Sequence, residues 1–390
     1  PSMRFSISHP AGAVLLSVSI VAMMLGSVHS FSVFLAPLEE TFHTSRSSVS
    51  LTYSLALASI TLAVFFGHRV FSRWSAAHVV SAICLLASMG ALMSAFAPAL
   101  AYIWLGYGLI FGVANGLGYA FGLHIAAQFN PGREGMSMGI VTASYALGST
   151  ISPAIFTWAM SLDGFRSAML VLSASLLIGR HICVRLLHRA NARFNGARPG
   201  EVRCTVLLRQ YILLWVGYGT AVAGGLIVIG HAAEISKTHG FSAAHWVTPA
   251  IISICGMVGS FAGGWLADHV TPAKLLTYLP VISATALIIL AIQSNLVLLL
   301  LCLGVIGFIS GAIVTAYPAT ITQIFGIGNS PRIYGRIFTA WGAAGFLGPW
   351  MAGLLFDQTG TYSIALSVAI GLGLLSSLAI VFHDSTVKLH

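Results

Sequence analysis

Charge is what this sequence most lacks. Its 390 residues hold 18 Lys and Arg and 9 Asp and Glu, 7% of the chain, where a soluble globular domain carries about 25%. That scarcity, with 57% hydrophobic residues and a mean hydropathy of +0.92, excludes a soluble enzyme, a disordered chain and a nucleic-acid-binding domain. The five cysteines (Cys84, Cys183, Cys204, Cys255, Cys302) are scattered without a C-x-x-C pair, so neither a disulfide framework nor a zinc site is expected. No G-x-x-x-x-G-K-[ST] loop is present, so the chain carries no Walker-type ATP site. H-E-x-x-H and nucleophile-plus-base arrangements are absent as well, which argues against an intramembrane enzyme. No cofactor is expected.

What is present is a series of apolar runs of about 20 residues or more, the length an α-helix needs to cross a bilayer. They predict an all-α polytopic membrane protein with twelve spans, at 11–36, 47–66, 76–96, 101–128, 134–160, 165–187, 207–235, 244–266, 273–293, 296–324, 333–356 and 360–382. No A-x-A-like cleavage site follows a short apolar core, so the first run is expected to stay as a span. The longest polar stretch, 188–206, carries Arg189, Arg193, Arg198 and Arg203 and divides the chain near its middle. It predicts an N-terminal six-helix bundle (1–188), a basic linker (189–206) and a C-terminal six-helix bundle (207–390), as in an internally repeated transporter. With the N-terminus inside, fifteen of the 18 Lys and Arg fall in inner segments; only Arg46, Arg166 and Lys237 fall outside. The positive-inside rule then places both termini in the cytoplasm.

Three segments carry a family resemblance. G-G-W-L-A-D-H at 263–269 resembles the cytoplasmic G-x-L-A-D-R loop of the major facilitator superfamily. F-N-P-G-R-E-G-M-S-M-G-I-V-T-A-S-Y-A-L-G at 129–148 resembles the helix 4–5 signature of monocarboxylate and oxalate/formate porters. A-Y-P-A-T-I-T-Q-I-F-G at 316–326 with the stretch 333–362 is the most specific match. The resemblance implies the major facilitator fold: two pseudo-symmetric bundles that rock about a central site. It gives Asp268 the role of capping a helix and pairing with arginine across the halves, with Gly264, Arg133 and Arg336 as conformational residues. The matching first-half loop, 67–74, has Phe71 in place of the aspartate.

The pattern breaks where the resemblance implies a substrate-binding cation. Ser260 stands where these porters carry a helix 8 arginine, and Trp341 at or near the helix 11 lysine of oxalate-type members. A dianion in a low-dielectric cavity would then be poorly compensated, whereas a monoanion moved with a proton crosses as a neutral pair. Histidine remains as the ionisable candidate, and His29, His124 and His231 lie deepest in predicted spans. Asn115 and Tyr119 in span 4, Tyr145, Trp215, Tyr218 and Tyr317 complete the candidate substrate-binding set with Ser260 and Trp341. Asn115 and His124 are nine residues apart, about 180° around a helix, so a straight helix cannot aim both at one cavity. The spacing His231, Glu234, His239 matches no metal motif.

These readings predict a secondary transporter of a small organic solute in a prokaryotic inner membrane. A monocarboxylate moved with a proton or exchanged for a counter-solute is the leading substrate class. A neutral or drug-like solute or metal chelate is the alternative, and a non-transporting sensor on the same fold the third reading. The expected partners are the solute, the coupling proton or counter-solute and the lipid bilayer; the chain is expected to be monomeric and to bind no nucleic acid.

Overall fold

A computed structural model describes residues 10–195, 208–238, 240–241, 247–292 and 295–387. Residues 196–207 of the linker, with Arg198 and Arg203, lie outside the described residues, as do Arg4, His239 and Lys388; so do the side chains of Arg46, Glu234 and Lys237. Among the described residues the regular structure is helical, with one isolated bridge, Ser75 to Arg193.

The described helices that correspond to the twelve expected spans are α1 (Pro10–Phe42), α2 (Arg46–Phe71), α3 (Ala76–Ala95), α4 (Leu100–Phe129), α5 (134–162) and α6 (165–189) within Glu134–Arg189, α7 (Leu208–Ile229), α8 (Val247–His269), α9 (Pro272–Ile292), α10 (Leu296–Phe325), α11 (Ser330–Ile337 continuing as Thr339–Thr359) and α12 (Ser363–Val387). Ten helices among the described residues are long and apolar enough to cross a membrane, α5 and α6 counting as one and α11 falling outside that set.

Several boundaries differ from the sequence expectation, each for a local reason. The runs expected at 134–160 and 165–187 are joined by a tight corner at Asp163 and Gly164, where Gly164 takes φ +58°, a conformation open to glycine without steric cost. The seventh span stops at Ile229 rather than 235, because Gly230 and His231 turn the chain before a short helix, Ala232–Thr238. The first span is broken in three: α-helix to Gly26, a 3₁₀ segment at Ser27–Phe34, and α-helix again at Leu35–Phe42. The fourth contains a π-helical stretch at Trp104–Phe111.

Packing follows a repeat of six. In the first half α1 packs on α5 and α6, α2 on α4 and α3 on α6; in the second, α7 packs on α11 and α12, α8 on α10 and α9 on α12. The glycines at 108, 112 and 116 form the α2–α4 seam. Gly108 faces Thr52 and Leu55, Gly112 faces Ala56 and Ser59, and Gly116 faces Ile60 and Ala63. Four-residue spacing keeps the contact on one face of each helix while the small residues bring the backbones together.

The halves meet at two matching crossings, α5 on α8 and α11 on α2. Both are tightest at the end of the bundle that carries Arg69, Arg73, Arg133, Arg193, Lys274, Arg332 and Arg336, here termed the basic end. The first residues of the linker also dock there. Ala192 C=O accepts from Ala76 N–H (3.0 Å), Arg193 C=O from Gln128 Nε2 (2.8 Å), and Phe194 is buried against Phe71.

Candidate functional site

Between the halves lies a cavity of about 260 Å³. Its walls are single faces of helices. Thr142, Tyr145, Ala146 and Ser149 come from α5; Ser253, Gly256 and Ser260 from α8; Gly307, Ser310, Gly311 and Val314 from α10. Spacings of three, four and seven put each set on one stripe. Thr142, Ser260 and Phe338 stand eight or nine residues from the basic ends of their helices, about 12 Å at 1.5 Å per residue, and Ile229, the last residue of α7, also lines the space. The cavity therefore starts above the basic end and reaches the opposite end.

His29, on the 3₁₀ segment of α1, lines the cavity, and its Nδ1 is hydrogen-bonded to the Tyr53 hydroxyl at 2.8 Å. A phenol can donate to a neutral imidazole or accept from a charged one, so the ring keeps this partner in either protonation state. The segment is held from outside. Asn115 Nδ2 donates to Leu25 C=O (2.6 Å) beside the α-to-3₁₀ junction, and Asn115 Oδ1 accepts from the Tyr145 hydroxyl (2.9 Å). An irregular helix segment leaves backbone groups that neighbours must satisfy, and Asn115 does this from behind the wall.

Aromatic rings run across the cavity from one half to the other. His29 meets Tyr145 edge-on (centroids 5.5 Å), Tyr145 meets Tyr119 (5.2 Å), Tyr119 meets Phe338 (6.3 Å), and Phe338 stacks on Trp341 (5.0 Å, 12°). Phe338 is the residue at which α11 is interrupted. Among the described lining residues there is no Asp, Glu, Lys or Arg; His29 and the tyrosines are the ionisable groups.

Of the candidates read from the sequence, His29, Tyr119, Tyr145, Ser260 and Trp341 line this cavity, and six do not. Asn115 is fully buried behind Tyr145. Trp215 is 40% exposed on the periphery, where its indole N–H donates to Thr339 (2.8 Å). Tyr218 and Tyr317 pack on each other (4.4 Å) inside the second half, buried below the cavity. His231 is tied at the far end, with Nε2 3.0 Å from Pro349 C=O and Nδ1 3.1 Å from the Tyr362 hydroxyl. A carbonyl only accepts, so Nε2 holds the hydrogen, and with Nδ1 on the Tyr362 hydroxyl both ring nitrogens serve as a brace. His124 is buried in the seam between halves at the basic end. As the nine-residue spacing requires, Asn115 and His124 do not share a cavity.

The basic end is closed by Asp268. Its Oδ1 accepts from Gly135 N–H and its Oδ2 from Met136 N–H, both at 2.7 Å, so a carboxylate from α8 caps the first turn of α5 in the other half. That is where a helix presents unpaired donors and positive potential. The expected pairing with arginine is replaced by these amides. Arg133 is the N-cap residue of α5, and Arg336 lies over the Tyr211 ring (5.5 Å) within its own half. Gly264 makes the approach feasible, since a Cβ there would meet Gly139 Cα at 2.8 Å. At the matching crossing, Gly335 of α11 lies against Val64 and Phe65 of α2. Phe71, which replaces the first-half aspartate, turns inward onto Phe121 (5.3 Å).

The sequence profile of the Major Facilitator Superfamily matches residues 15–291. The chain belongs to that superfamily. It is 26% identical over 339 residues to the Escherichia coli (strain K12) "Uncharacterized MFS-type transporter YhjX", covering 84% of each chain. It is 26% identical over 359 residues to rat (Rattus norvegicus) monocarboxylate transporter 13, covering 89% of this chain and 82% of the relative. Its fold matches the proton:xylose symporter XylE (TM-score 0.76, 13% identity, 94% of each chain) and the outward conformation of FucP (TM-score 0.69, 15% identity, 95% and 98%). This major facilitator chain is thus a multi-pass membrane transporter, not an enzyme, and its solute is a small molecule.

Proposed function

We propose that this transporter carries a small monocarboxylate together with a proton by alternating access, in the inner membrane and as a monomer. The halves divide as 1–188 and 207–390 about the linker, and the basic end faces the cytoplasm with both termini. The closed Asp268 crossing then makes the described conformation outward-facing.

One observation carries this reading: among the described lining residues there is a single histidine, with a partner in both charge states, and no other ionisable group but tyrosine. A carboxylate entering such a space needs a counter-charge; a protonated His29 supplies it, and the pair moves as a neutral unit. The hydroxyls of Ser253, Ser260 and Ser310 offer hydrogen bonds to the solute from the opposite wall. The volume, slightly below the roughly 300–1,000 Å³ of clefts for drug-sized ligands, suits a small acid. The 26% identity to rat monocarboxylate transporter 13 supports the same substrate class. The absence of Lys and Arg among the described lining residues also favours a second reading, a neutral solute held by the same hydroxyls and rings.

Uptake of labelled lactate, formate, acetate, oxalate and one neutral solute into proteoliposomes, with and without an imposed proton gradient, separates them. Gradient-driven monocarboxylate uptake that is lost in His29→Ala is expected. Gradient-independent uptake of the neutral solute alone would overturn the acid reading.

A further inference from the structure

His124 is the strangest ionisable group in the molecule. It lies on α4, in the first half, yet its only described hydrogen-bond partner is across the seam: Nδ1 is 3.4 Å from the Ser330 hydroxyl at the start of α11. Its ring meets Tyr334 of the same helix edge-on at 5.9 Å. The residue is wholly inaccessible, and Nε2 has no hydrogen-bond partner. Ser330 is itself engaged by Thr322 of α10 at 2.7 Å.

The groups around it decide what charge this ring can hold. From α11 come the Tyr334 phenol and the Ser330 hydroxyl; from α10, the Thr322 hydroxyl behind Ser330; from α4 itself, Tyr119 one and a half turns away. Among the described residues of the other elements packed on α4, namely α1, α2, α3 and α5, no charged side chain pairs with it. Arg332 and Arg336 on α11 act on His68 of α2 instead. A neutral imidazole fits this place. A protonated one would put two N–H donors and a full charge against a single long hydroxyl contact with no carboxylate, which burial penalises heavily.

We infer that His124 is a proton-binding site that governs the basic end: the halves close there only over a neutral His124, and its protonation holds them apart. When the α2–α11 crossing opens, Ser330 and Tyr334 leave with α11 and the ring meets water. It then takes a proton near its ordinary value, and must release it before the seam reforms. This role is separate from that of His29, which faces the solute cavity, and it rests on the transporter fold rather than on the identity of the solute. Binding a proton only in the open form makes the open-to-closed ratio rise as pH falls. With an exposed-state pKa of about 6.5, the ratio grows about thirty-fold between pH 7.5 and pH 5.

Spin labels on the exposed positions Arg73→Cys and Lys274→Cys, one in each half at the basic end, report the opening by pulsed dipolar spectroscopy in nanodiscs, with the five native cysteines replaced and no solute added. The pH series is recorded in the otherwise native chain and in Asp268→Asn, whose lost clasp brings the open form into range and removes the carboxylate's own titration. The long-distance population should rise as pH falls, should stop responding in His124→Gln and His124→Phe, and should still respond in His29→Gln. A population that does not change with pH in the Asp268→Asn background overturns the inference. So does a His124→Gln protein that remains monodisperse and responds as its parent does. Neither outcome depends on which solute is carried, so failure here and failure of the monocarboxylate reading are told apart.

Discussion

Replacing Asp268 by asparagine tests whether the α5–α8 clasp sets the resting conformation. The carboxylate accepts two backbone N–H bonds of 2.7 Å from Gly135 and Met136. Asparagine keeps one acceptor and turns an NH₂ toward the other amide, so one bond is lost and one donor meets a donor. Hydrogen bonds to a charged group contribute about 1.5–3 kcal/mol each, and an anion at a helix N-terminus adds about 0.3–1 kcal/mol. Asp268 is half-buried, so the lower figures apply. One bond, the lost charge and the opposed donors together give about 3 kcal/mol, or about 150-fold in the ratio of closed to open basic end. The change acts on the equilibrium between conformations, because the clasp joins the two halves and is absent once they part.

The readout is the labelling rate of a cysteine at position 253 by a membrane-impermeant maleimide, in a background without the native cysteines. Ser253 is exposed and lines the cavity, so it reacts while the far end is open and is shielded when the basic end opens instead. Asp268→Asn and Asp268→Ala should both slow labelling, alanine the more because it leaves both amides unpaired. Labelling unchanged in both variants, with the proteins still folded, would refute the assignment of Asp268 as the clasp.

Three further substitutions probe other parts of the same framework. Gly264→Ala adds a Cβ that would meet Gly139 Cα at 2.8 Å, and overpacking of this kind costs about 1–3 kcal/mol; labelling at position 253 should slow as for Asp268→Asn, and a rate equal to the parent's would mean the crossing is looser than described. Tyr145→Phe removes the donor to Asn115 Oδ1, leaving a buried acceptor unpaired at about 1–3 kcal/mol; the expected result is a lower melting temperature and a raised KM for the transported solute. His231→Phe breaks the contacts to Pro349 and Tyr362 at about 0.5–1.5 kcal/mol each; a lower melting temperature with unchanged KM is expected, and a KM effect as large as that of Tyr145→Phe would place His231 in the solute path.

The architecture was legible because a bilayer imposes it. Twelve apolar runs, a basic divider and a one-sided distribution of Lys and Arg follow from the cost of burying charge and unpaired backbone. Asp268 stood out for the same reason: nine acidic residues leave few ways to place one next to a glycine-rich helix end. The faces of the helices were not legible. In a soluble helix polar residues mark the side turned from the core, but a membrane helix is apolar toward lipid and toward its neighbours alike. Trp215 and Trp341 look equivalent in the sequence, yet one lies at the periphery and the other in the cavity. Ser253, Ser310, Thr142, Ser149 and Phe338 also line the cavity, and of these only Ser253 shares a stripe with Gly256 and Ser260 that the sequence makes visible. His124 drew attention as an ionisable residue in a span. Its placement in the seam, where Ser330 and Tyr334 meet it, depends on a contact across 206 residues that no local pattern encodes.

The two crossings at the basic end are related by the repeat, but they are not sealed by the same chemistry. On the α5–α8 side a carboxylate joins the halves through a helix N-terminus. On the α2–α11 side the equivalent position is Phe71, which packs into its own half, and the seam is made by Gly335 against the α2 backbone and by His124 against Ser330. Asp268 strengthens its crossing as long as it stays ionised, whereas His124 fits its seam only without a charge. Acidification therefore acts against closure through the α2–α11 seam, by charging His124. Had Phe71 been an aspartate, the symmetric pair of clasps would have depended on carboxylates alone. Its replacement leaves imidazoles in its place, His124 in the seam and His68 beside Arg332 and Arg336, and His124 ties a proton to the movement of the halves.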